Sequence, residues 1–223
     1  MFIGHFAPAL AAAALSRRAP KLATLFVAAQ LVDWAFFALG LAGIESMRIT
    51  PGASAMNPLE LVHLPYTHSL AGTAAWATAF GLGTAIVFRE ALAGLLAGCV
   101  VLSHWFLDLL VHVPDLTLAG GDDRLGLGLW NFPWIAIPLE LALIIAAFAF
   151  FLRRTKGPVG PPLVLMGVML ALQAYAWFGP EPASVTAFYV SGILAFGIIT
   201  LLAKWAGDTR WHKRHASLTF STT

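Results

Sequence analysis

The sequence has few charged residues for its length, and it has a single cysteine. Only 11% of its 223 residues are charged, whereas about a quarter of an average soluble domain is charged. With 59% hydrophobic residues and a mean hydropathy of +0.81, this leaves little room for a soluble globule. The lone Cys99 excludes a disulfide framework, and the abundant apolar residues exclude a disordered chain. Composition alone predicts an integral membrane protein.

Six apolar segments are long enough to cross a bilayer, which requires about 20 apolar residues per helix. They are 22–44, 67–88, 91–112, 132–152, 161–179 and 184–206. A shorter apolar stretch, 1–16, is followed by two arginines and not by a small-residue cleavage site, so we expect a short inserted helix and no signal peptide. The predicted fold class is an all-α, polytopic transmembrane bundle. It forms one domain, 1–206, followed by a short basic tail, 207–223.

The basic residues are sorted by membrane side. If the six segments alternate in direction, eleven of the thirteen Lys and Arg residues lie at one end, and only Arg48 and Arg124 lie at the other. Lysine and arginine are enriched in cytoplasmic loops, so the basic end and the C-terminus are predicted to be cytoplasmic. The cations therefore mark a membrane side, and we expect no nucleic-acid partner.

Ionisable residues occur inside the predicted spans, where a charge costs about 2.5–3.5 kcal/mol and therefore indicates function. Asp33, Asp108, Glu140 and His104 are such residues. His104, Asp108 and His112 are spaced i, i+4 and i+8, so they share one stripe of a helix. With His112 at the outer interface, His104 lies about 12 Å deeper.

A second group of histidines lies just before the next predicted span. Thr67 is expected to be the N-cap of that helix, which places His68 in its first turn and lets His63 reach over it from the loop. Asp33 could approach from a neighbouring helix. His5 reaches the same depth if the N-terminal segment inserts with its amino end outward.

Imidazoles and carboxylates in this ratio suit Zn²⁺, with Mn²⁺ or Fe²⁺ as alternatives. Six candidate ligands exceed the needs of one tetrahedral ion, so sites of one or two ions both stay open. The candidate metal ligands are His5, Asp33, His63, His68, His104 and Asp108. Simpler structural roles are the alternatives for three other residues: interface anchoring for His112, a turn for Asp115 and helix pairing for Glu140.

The same motifs resemble a known family. Gly4-His5, Asp33, the His-x-x-x-Thr-His-Ser-Leu element at 63–70 and the Ser-His-x-x-x-Asp element at 103–108 occur in this order. This pattern is similar to that of the bacterial membrane-bound metal-dependent hydrolases described as LexA-binding, inner-membrane-associated hydrolases, and it covers residues 1–115. The resemblance implies metal binding by the six candidate ligands, hydrolase activity and a multi-pass location in the bacterial inner membrane.

Together these observations favour a membrane hydrolase with its metal site near the outer face, acting on a lipid or lipid-linked ester or phosphoester. Glu140 and Asp108 are the candidate catalytic carboxylates, one of them acting as general base. The alternative is a small transporter or permease whose His and Asp residues bind a cation or relay protons. A third possibility is a scaffold that holds a structural ion.

Overall fold

Apolar helices joined by short connections make up most of the chain. The computed structural model describes residues 1–213, and within them it contains eight α-helices. They are α1 Phe6–Leu15, α2 Leu22–Ala29, α3 Leu31–Leu41, α4 Leu70–Phe88, α5 Ala91–Val111, α6 Pro133–Arg154, α7 Gly160–Phe178 and α8 Val185–Asp208. Two 3₁₀ helices, Ile3–His5 and Leu129–Asn131, and two antiparallel strand pairs complete the fold. The pairs are β1 Ser46–Ile49 with β2 Leu59–His63, and β3 Thr155–Lys156 with β4 Trp211–His212.

The helix lengths confirm the predicted all-α membrane bundle. Helices α4 to α8 are each long and apolar enough to cross a membrane. Helices α2 and α3 pass the same test together but are bent by 54° at their junction, which makes five or six candidate spans. The segment Ile3–Leu15 is apolar but shorter, as expected for the N-terminal helix. The predicted tail begins inside α8 and continues into β4, while residues 214–223 lie outside the described part of the chain.

Two sequence-based details are corrected. The first predicted span, 22–44, is not continuous, because Gln30 separates α2 from α3. The N-cap of α4 is Ser69 and not Thr67, because the Ser69 hydroxyl accepts the backbone N–H of Gly72 at 3.0 Å. Thr67 has another role, which is described with the site below.

Contacts between the connections show that the basic residues meet at one end of the bundle. Three of these contacts join distant parts of the chain: Arg18 with Glu90 at 3.7 Å, Lys21 with Asp208 at 3.8 Å, and Arg17 with the carbonyl of Lys213 at 3.0 Å. We call this the basic end. The connections 42–69, 112–132 and 179–184 form the opposite end, where Met1 also lies because Asp108 in α5 contacts its amino group.

The short helix α1 lies in the centre of the bundle. Ile3, Phe6 and Leu10 are at most 1% exposed, and Phe26 of α2 stacks on Phe6 with ring centroids 4.7 Å apart. Because α1 starts directly after His5 and ends near Arg154 at the basic end, its side chains fill the bundle along this half. The polar residues are left near the opposite end.

Glycines allow α4 and α5 to approach each other closely. A Cβ atom added at Gly94 would lie 2.5 Å from the carbonyl oxygen of Gly81, and one at Gly98 would lie 3.0 Å from that of Ala77. Small residues at helix contacts let backbones pack tightly inside membranes. This contact holds in place the two helices that border the polar cluster.

We expect Gly94→Val to destabilise the bundle by about 1–3 kcal/mol, because the added methyl groups would collide with the α4 backbone. The measurement is the midpoint of thermal unfolding in detergent. Gly83→Val is the matched control, because a Cβ at Gly83 meets nothing within 4 Å. Equal midpoints for the two variants would show that the close approach does not stabilise the bundle.

Candidate functional site

A break in the second membrane helix brings two residues to the site. Helix α2 ends at Ala29, and the Ala29 carbonyl oxygen accepts Nδ1–H of His104 at 2.9 Å. Helix α3 starts one residue after Gln30, so Asp33 lies in its first turn. The break therefore frees a backbone acceptor that orients His104 and places a carboxylate beside the same imidazole.

The predicted stripe on α5 is present. His104 and Asp108 are 1% and 2% exposed, and His112 follows directly at the C-cap. Nε2 of His104 lies 3.1 Å from Oδ2 of Asp108, and Nε2 of His112 lies 3.7 Å from Oδ1 of the same carboxylate. Asp108 thus lies between two histidines, one turn away on either side.

His68 approaches these residues from the segment that precedes α4. Its Nε2 atom lies 3.2 Å from Oδ1 of Asp33 and 3.9 Å from Oδ2 of Asp108. His104 also reaches Asp33, at 3.6 Å. Residues from α3, α5 and the α3–α4 connection therefore converge on one point.

A buried hydrogen-bond chain fixes the orientation of His68. Glu45, which is 1% exposed, accepts the backbone N–H groups of Tyr66 and Thr67 and also the Thr67 hydroxyl, at 2.6 Å. Because that hydroxyl gives its single proton to Glu45, its lone pair accepts Nδ1–H of His68 at 2.9 Å. The neutral imidazole then carries its lone pair on Nε2, which faces the two aspartates.

The same reasoning applies to two more histidines. Nδ1 of His104 faces a carbonyl oxygen, and Nδ1 of His112 faces Oδ1 of Asp115 at 3.0 Å. These oxygens only accept, so each Nδ1 carries the proton and each Nε2 carries a lone pair. Nε2 of His104 is buried and has no hydrogen-bond partner within residues 1–213. Lone pairs and carboxylate oxygens repel each other, so this arrangement requires a cation or protons between them.

The distances fit a metal ion. Two ligands on a tetrahedral ion with bonds of about 2.0–2.1 Å lie about 3.3 Å apart. Four nitrogen–oxygen distances among Asp33, His68, His104 and Asp108 fall between 3.1 and 3.9 Å. We call these four residues the quartet. Three of them, Asp33, His68 and His104, have ligand atoms within 4.8 Å of one another and could hold one divalent ion, with Asp108 beside it.

His5 joins the cluster from the N-terminal 3₁₀ helix. Its Nε2 atom lies 2.9 Å from Oδ1 of Asp108, and its ring stacks on that of His104 with centroids 3.8 Å apart. The amino group of Met1 lies 2.8 Å from the same oxygen. Because the quartet uses Oδ2 of Asp108 while His5 and His112 face Oδ1, Asp108 could bridge two ions. Whether one or two ions bind stays a prediction.

Glu140 supports the N-terminal segment. One of its oxygens, Oε1, accepts the backbone N–H groups of Phe2 and Gly4 at 2.8 and 2.9 Å. Gln173 accepts the N–H of Ile3 at 3.0 Å from another helix. Glu140 thereby positions the turn that carries His5, and its role as general base stays a prediction.

The structure does not bring His63 into the cluster. His63 is exposed at the end of β2, where it pairs with Ser46, and it belongs to neither of the described groups of mutually close ligand atoms. Those groups are His5, His104 and Asp108, and Asp33, His68 and His104. Five of the six predicted ligands therefore lie together, and His112 lies next to them. His63 lines a small surface cavity that His68 also borders.

Sequence analysis missed the supporting residues. Glu45 follows an apolar span and lies 22 residues before its partner Thr67, so no helical spacing connects them. Asp115 lies in a turn, as expected, but it is also buried and hydrogen-bonds to His112. Only the position of His112 could be inferred from the sequence, because its i+8 spacing from His104 places it on the same helix face.

No model of a protein family, no curated protein and no solved structure matches the chain. The family resemblance noted in the sequence therefore stays an expectation. The inference of function depends on the distances and hydrogen bonds described above.

We expect Thr67→Val to weaken Zn²⁺ binding about 10- to 100-fold, because valine cannot accept Nδ1–H of His68 and ligand orientation is lost. The measurement is competition for Zn²⁺ with a chromophoric chelator. Thr67→Ser restores the hydroxyl and should bind as the wild type does. Glu60→Gln is a second control, because Glu60 accepts a hydroxyl from Thr50 on the strand pair, away from the cluster. Wild-type affinity in Thr67→Val would refute the orienting role.

Proposed function

We propose that this membrane protein is a metal-dependent hydrolase that acts on a lipid or lipid-linked ester or phosphoester. The observation that carries the proposal is the convergence of oriented Nε2 lone pairs on the carboxylates of Asp33 and Asp108. Among residues 1–213, no lysine or arginine forms an ion pair with either aspartate. The Met1 amino group, 2.8 Å from Oδ1, offsets part of the charge of Asp108, and a divalent cation would balance the rest together with the charge of Asp33. Zn²⁺ suits the mixed imidazole and carboxylate set, with Mn²⁺ and Fe²⁺ as alternatives.

The quartet would hold the ion, which supplies a Lewis acid that activates water and polarises an ester oxygen. Hydrolysis joins the oxygen of water to phosphorus or to the acyl carbon and breaks the bond to the leaving oxygen. The leaving oxygen takes one proton to become an alcohol, and the other proton goes to a base and then to the product acid. Glu140 and Oδ1 of Asp108, the carboxylate oxygen that faces Met1, His5 and His112, are the proposed proton acceptors.

The position of the cluster supports a membrane-lipid substrate. His68 borders a cavity at the end of the bundle opposite the basic end, where β2 and the α5–α6 connection meet. If the basic end is cytoplasmic, as the charge distribution indicates, the cluster opens toward the outer face of the bacterial inner membrane. Lipid headgroups lie at this level, and the family resemblance supports the same location.

We expect Asp33→Asn and His104→Ala to lose bound metal and to reduce hydrolysis by more than about 100-fold, since outer-shell changes alone cost 10- to 100-fold. Metal is measured by elemental analysis of protein purified without chelators. Hydrolysis is measured on a chromogenic phosphodiester, a chromogenic carboxylic ester and a panel of lipids in proteoliposomes. Asp122→Asn and His212→Ala are the controls, because one is exposed in a loop and the other lies in β4 at the basic end.

Two results would contradict the proposal. One is a folded wild-type protein that holds no stoichiometric metal after such purification. The other is a metal-loaded protein that hydrolyses no member of the panel, which together with melting on metal removal would indicate a structural ion.

Transport is the second candidate function, and the broken helix at Gln30 favours it, because discontinuous membrane helices are common at transporter substrate sites. The fully buried Phe6, Leu25 and Phe26 fill the bundle toward the basic end and oppose a continuous path. A flux assay in liposomes separates the candidates. For a hydrolase we expect no ion or proton movement that depends on Asp33, whereas Asp33-dependent flux without hydrolysis would favour transport.

A further inference from the structure

A small surface cavity is bordered by His68, one residue of the quartet. It has a volume of ≈ 20 Å³, which is room for a single water-sized group. Its polar walls come from β2, from the segment before α4 and from the α5–α6 connection. The polar lining includes His63, His68, Asp115, Thr117 and Arg124. His68 belongs both to this lining and to the quartet, where its Nε2 atom faces Asp33.

The α5–α6 connection that carries Arg124 is held in a defined position. Leu116 and Leu125 exchange two backbone hydrogen bonds of 2.8 and 3.0 Å, which fixes the residue beside Leu125. The carbonyl oxygens of Thr117 and Leu118 accept the first two N–H groups of α4 at 3.0 and 2.9 Å. The connection therefore covers the start of α4, and those amides are not available to a ligand.

The Arg124 guanidinium has donors to spare. Nη1 donates to the carbonyl oxygen of Asp115 at 3.1 Å, whereas the Asp115 carboxylate faces His112. Within residues 1–213 no aspartate or glutamate forms an ion pair with Arg124. A guanidinium has five N–H donors in a planar fork that matches two oxygens of a phosphate. Arg124 is thus anchored by one contact and can bind an anion with the rest.

Arg124 lies among acidic neighbours, because Asp115, Asp122 and Asp123 belong to the same connection. Arg48 and Arg124 are the two cations that the sequence places at this end of the bundle, and Arg124 is the one that lines the cavity. A cation in the quartet on one side and Arg124 on the other would flank an anionic group. The exposed His63 adds a further donor. A neutral carboxylic ester offers the guanidinium only an uncharged acceptor, whereas a phosphoester offers anionic oxygens that form stronger charge-assisted hydrogen bonds.

We propose that Arg124 is a specificity-determining residue that binds the anionic phosphoester group of the substrate at the opening of this cavity. The proposal rests on the proposed hydrolase function and narrows its substrate class from esters in general to phosphoesters. The phosphoester could belong to a membrane lipid or to a water-soluble molecule. The chemistry is shared, and the experiment below separates the two sources.

The test compares Arg124→Gln, Arg124→Lys and the control Arg48→Gln in zinc-loaded proteoliposomes. Arg124→Gln should raise KM for a chromogenic phosphodiester about 10-fold or more, because a charge-assisted hydrogen-bond pair is lost. KM for a matched chromogenic carboxylic ester and the zinc content should stay unchanged. Arg124→Lys should be intermediate, and Arg48→Gln should equal the wild type. An unchanged KM in Arg124→Gln, or the same change in Arg48→Gln, would overturn the proposal.

Phosphate binding distinguishes failure of this proposal from failure of the hydrolase function. Inorganic phosphate is titrated into the zinc-loaded protein by calorimetry, and its affinity should fall about 10-fold in Arg124→Gln. Binding that depends on Arg124 without any hydrolysis would refute the hydrolase function and leave the anion site standing. If hydrolysis occurs but neither hydrolysis nor phosphate binding depends on Arg124, the anion site is refuted and the hydrolase function is retained.

Paired substrates identify the source of the phosphoester. Phosphatidic acid in phosphatidylcholine vesicles is compared with glycerol 3-phosphate, which carries the same phosphate group without acyl chains. Preference for the vesicle substrate with an Arg124-dependent KM supports a lipid source. Preference for the soluble compound with the same dependence supports a water-soluble source. If neither is cleaved or bound in an Arg124-dependent way, the anion site is refuted.

Discussion

The carboxylate of Asp108 lies buried within a membrane helix, and nitrogen atoms face both of its oxygens. Placing such a charge at this depth costs about 2.5–3.5 kcal/mol unless a cation or proton accompanies it. His104 faces Oδ2, while His5 and His112 face Oδ1. The arrangement of this end of the bundle follows from that cost. The elements around Asp108 contribute side chains that face its carboxylate, or groups that hold those side chains in a fixed orientation.

Irregular backbone contributes to the site, because it leaves backbone groups free to hydrogen-bond to the ligand side chains. A continuous helix through Gln30 would use the Ala29 carbonyl for its own ladder, whereas the break gives that oxygen to His104. Irregular backbone at membrane depth is tolerated where it is buried in protein, and Ala29 and Gln30 are both buried. The α3–α4 connection acts similarly, since Glu45 ties down the segment that carries Thr67 and His68. Loss of regular structure therefore coincides with the points where ligands need fixed orientation.

Sequence periodicity predicted the parts of the site that lie on one helix, because His104, Asp108 and His112 are separated by whole turns. Hydropathy and charge sorting likewise predicted the bundle and its basic end. The break at Gln30 was not predictable from composition, because neither proline nor glycine marks it. Glu45 was missed for a related reason: its contact with Thr67 depends on how the strand pair folds the connection back. The strand pair also places His63 at the surface. His63 was predicted as a ligand from its position in the sequence, and it lies apart from the cluster.

Protons and a metal ion would both relieve the repulsion between the imidazoles and the carboxylates, but their electrostatic consequences differ. Protonating His5 and His104 together would stack two imidazolium rings at 3.8 Å, and His68 lies only 5.7 Å from His104. Like charges at such separations, shielded from water, repel strongly. One divalent ion in the quartet would balance the carboxylates while leaving His68 and His104 neutral, in the tautomers that their Nδ1 partners already select. The hydrogen bonds outside the quartet therefore favour metal binding over proton storage.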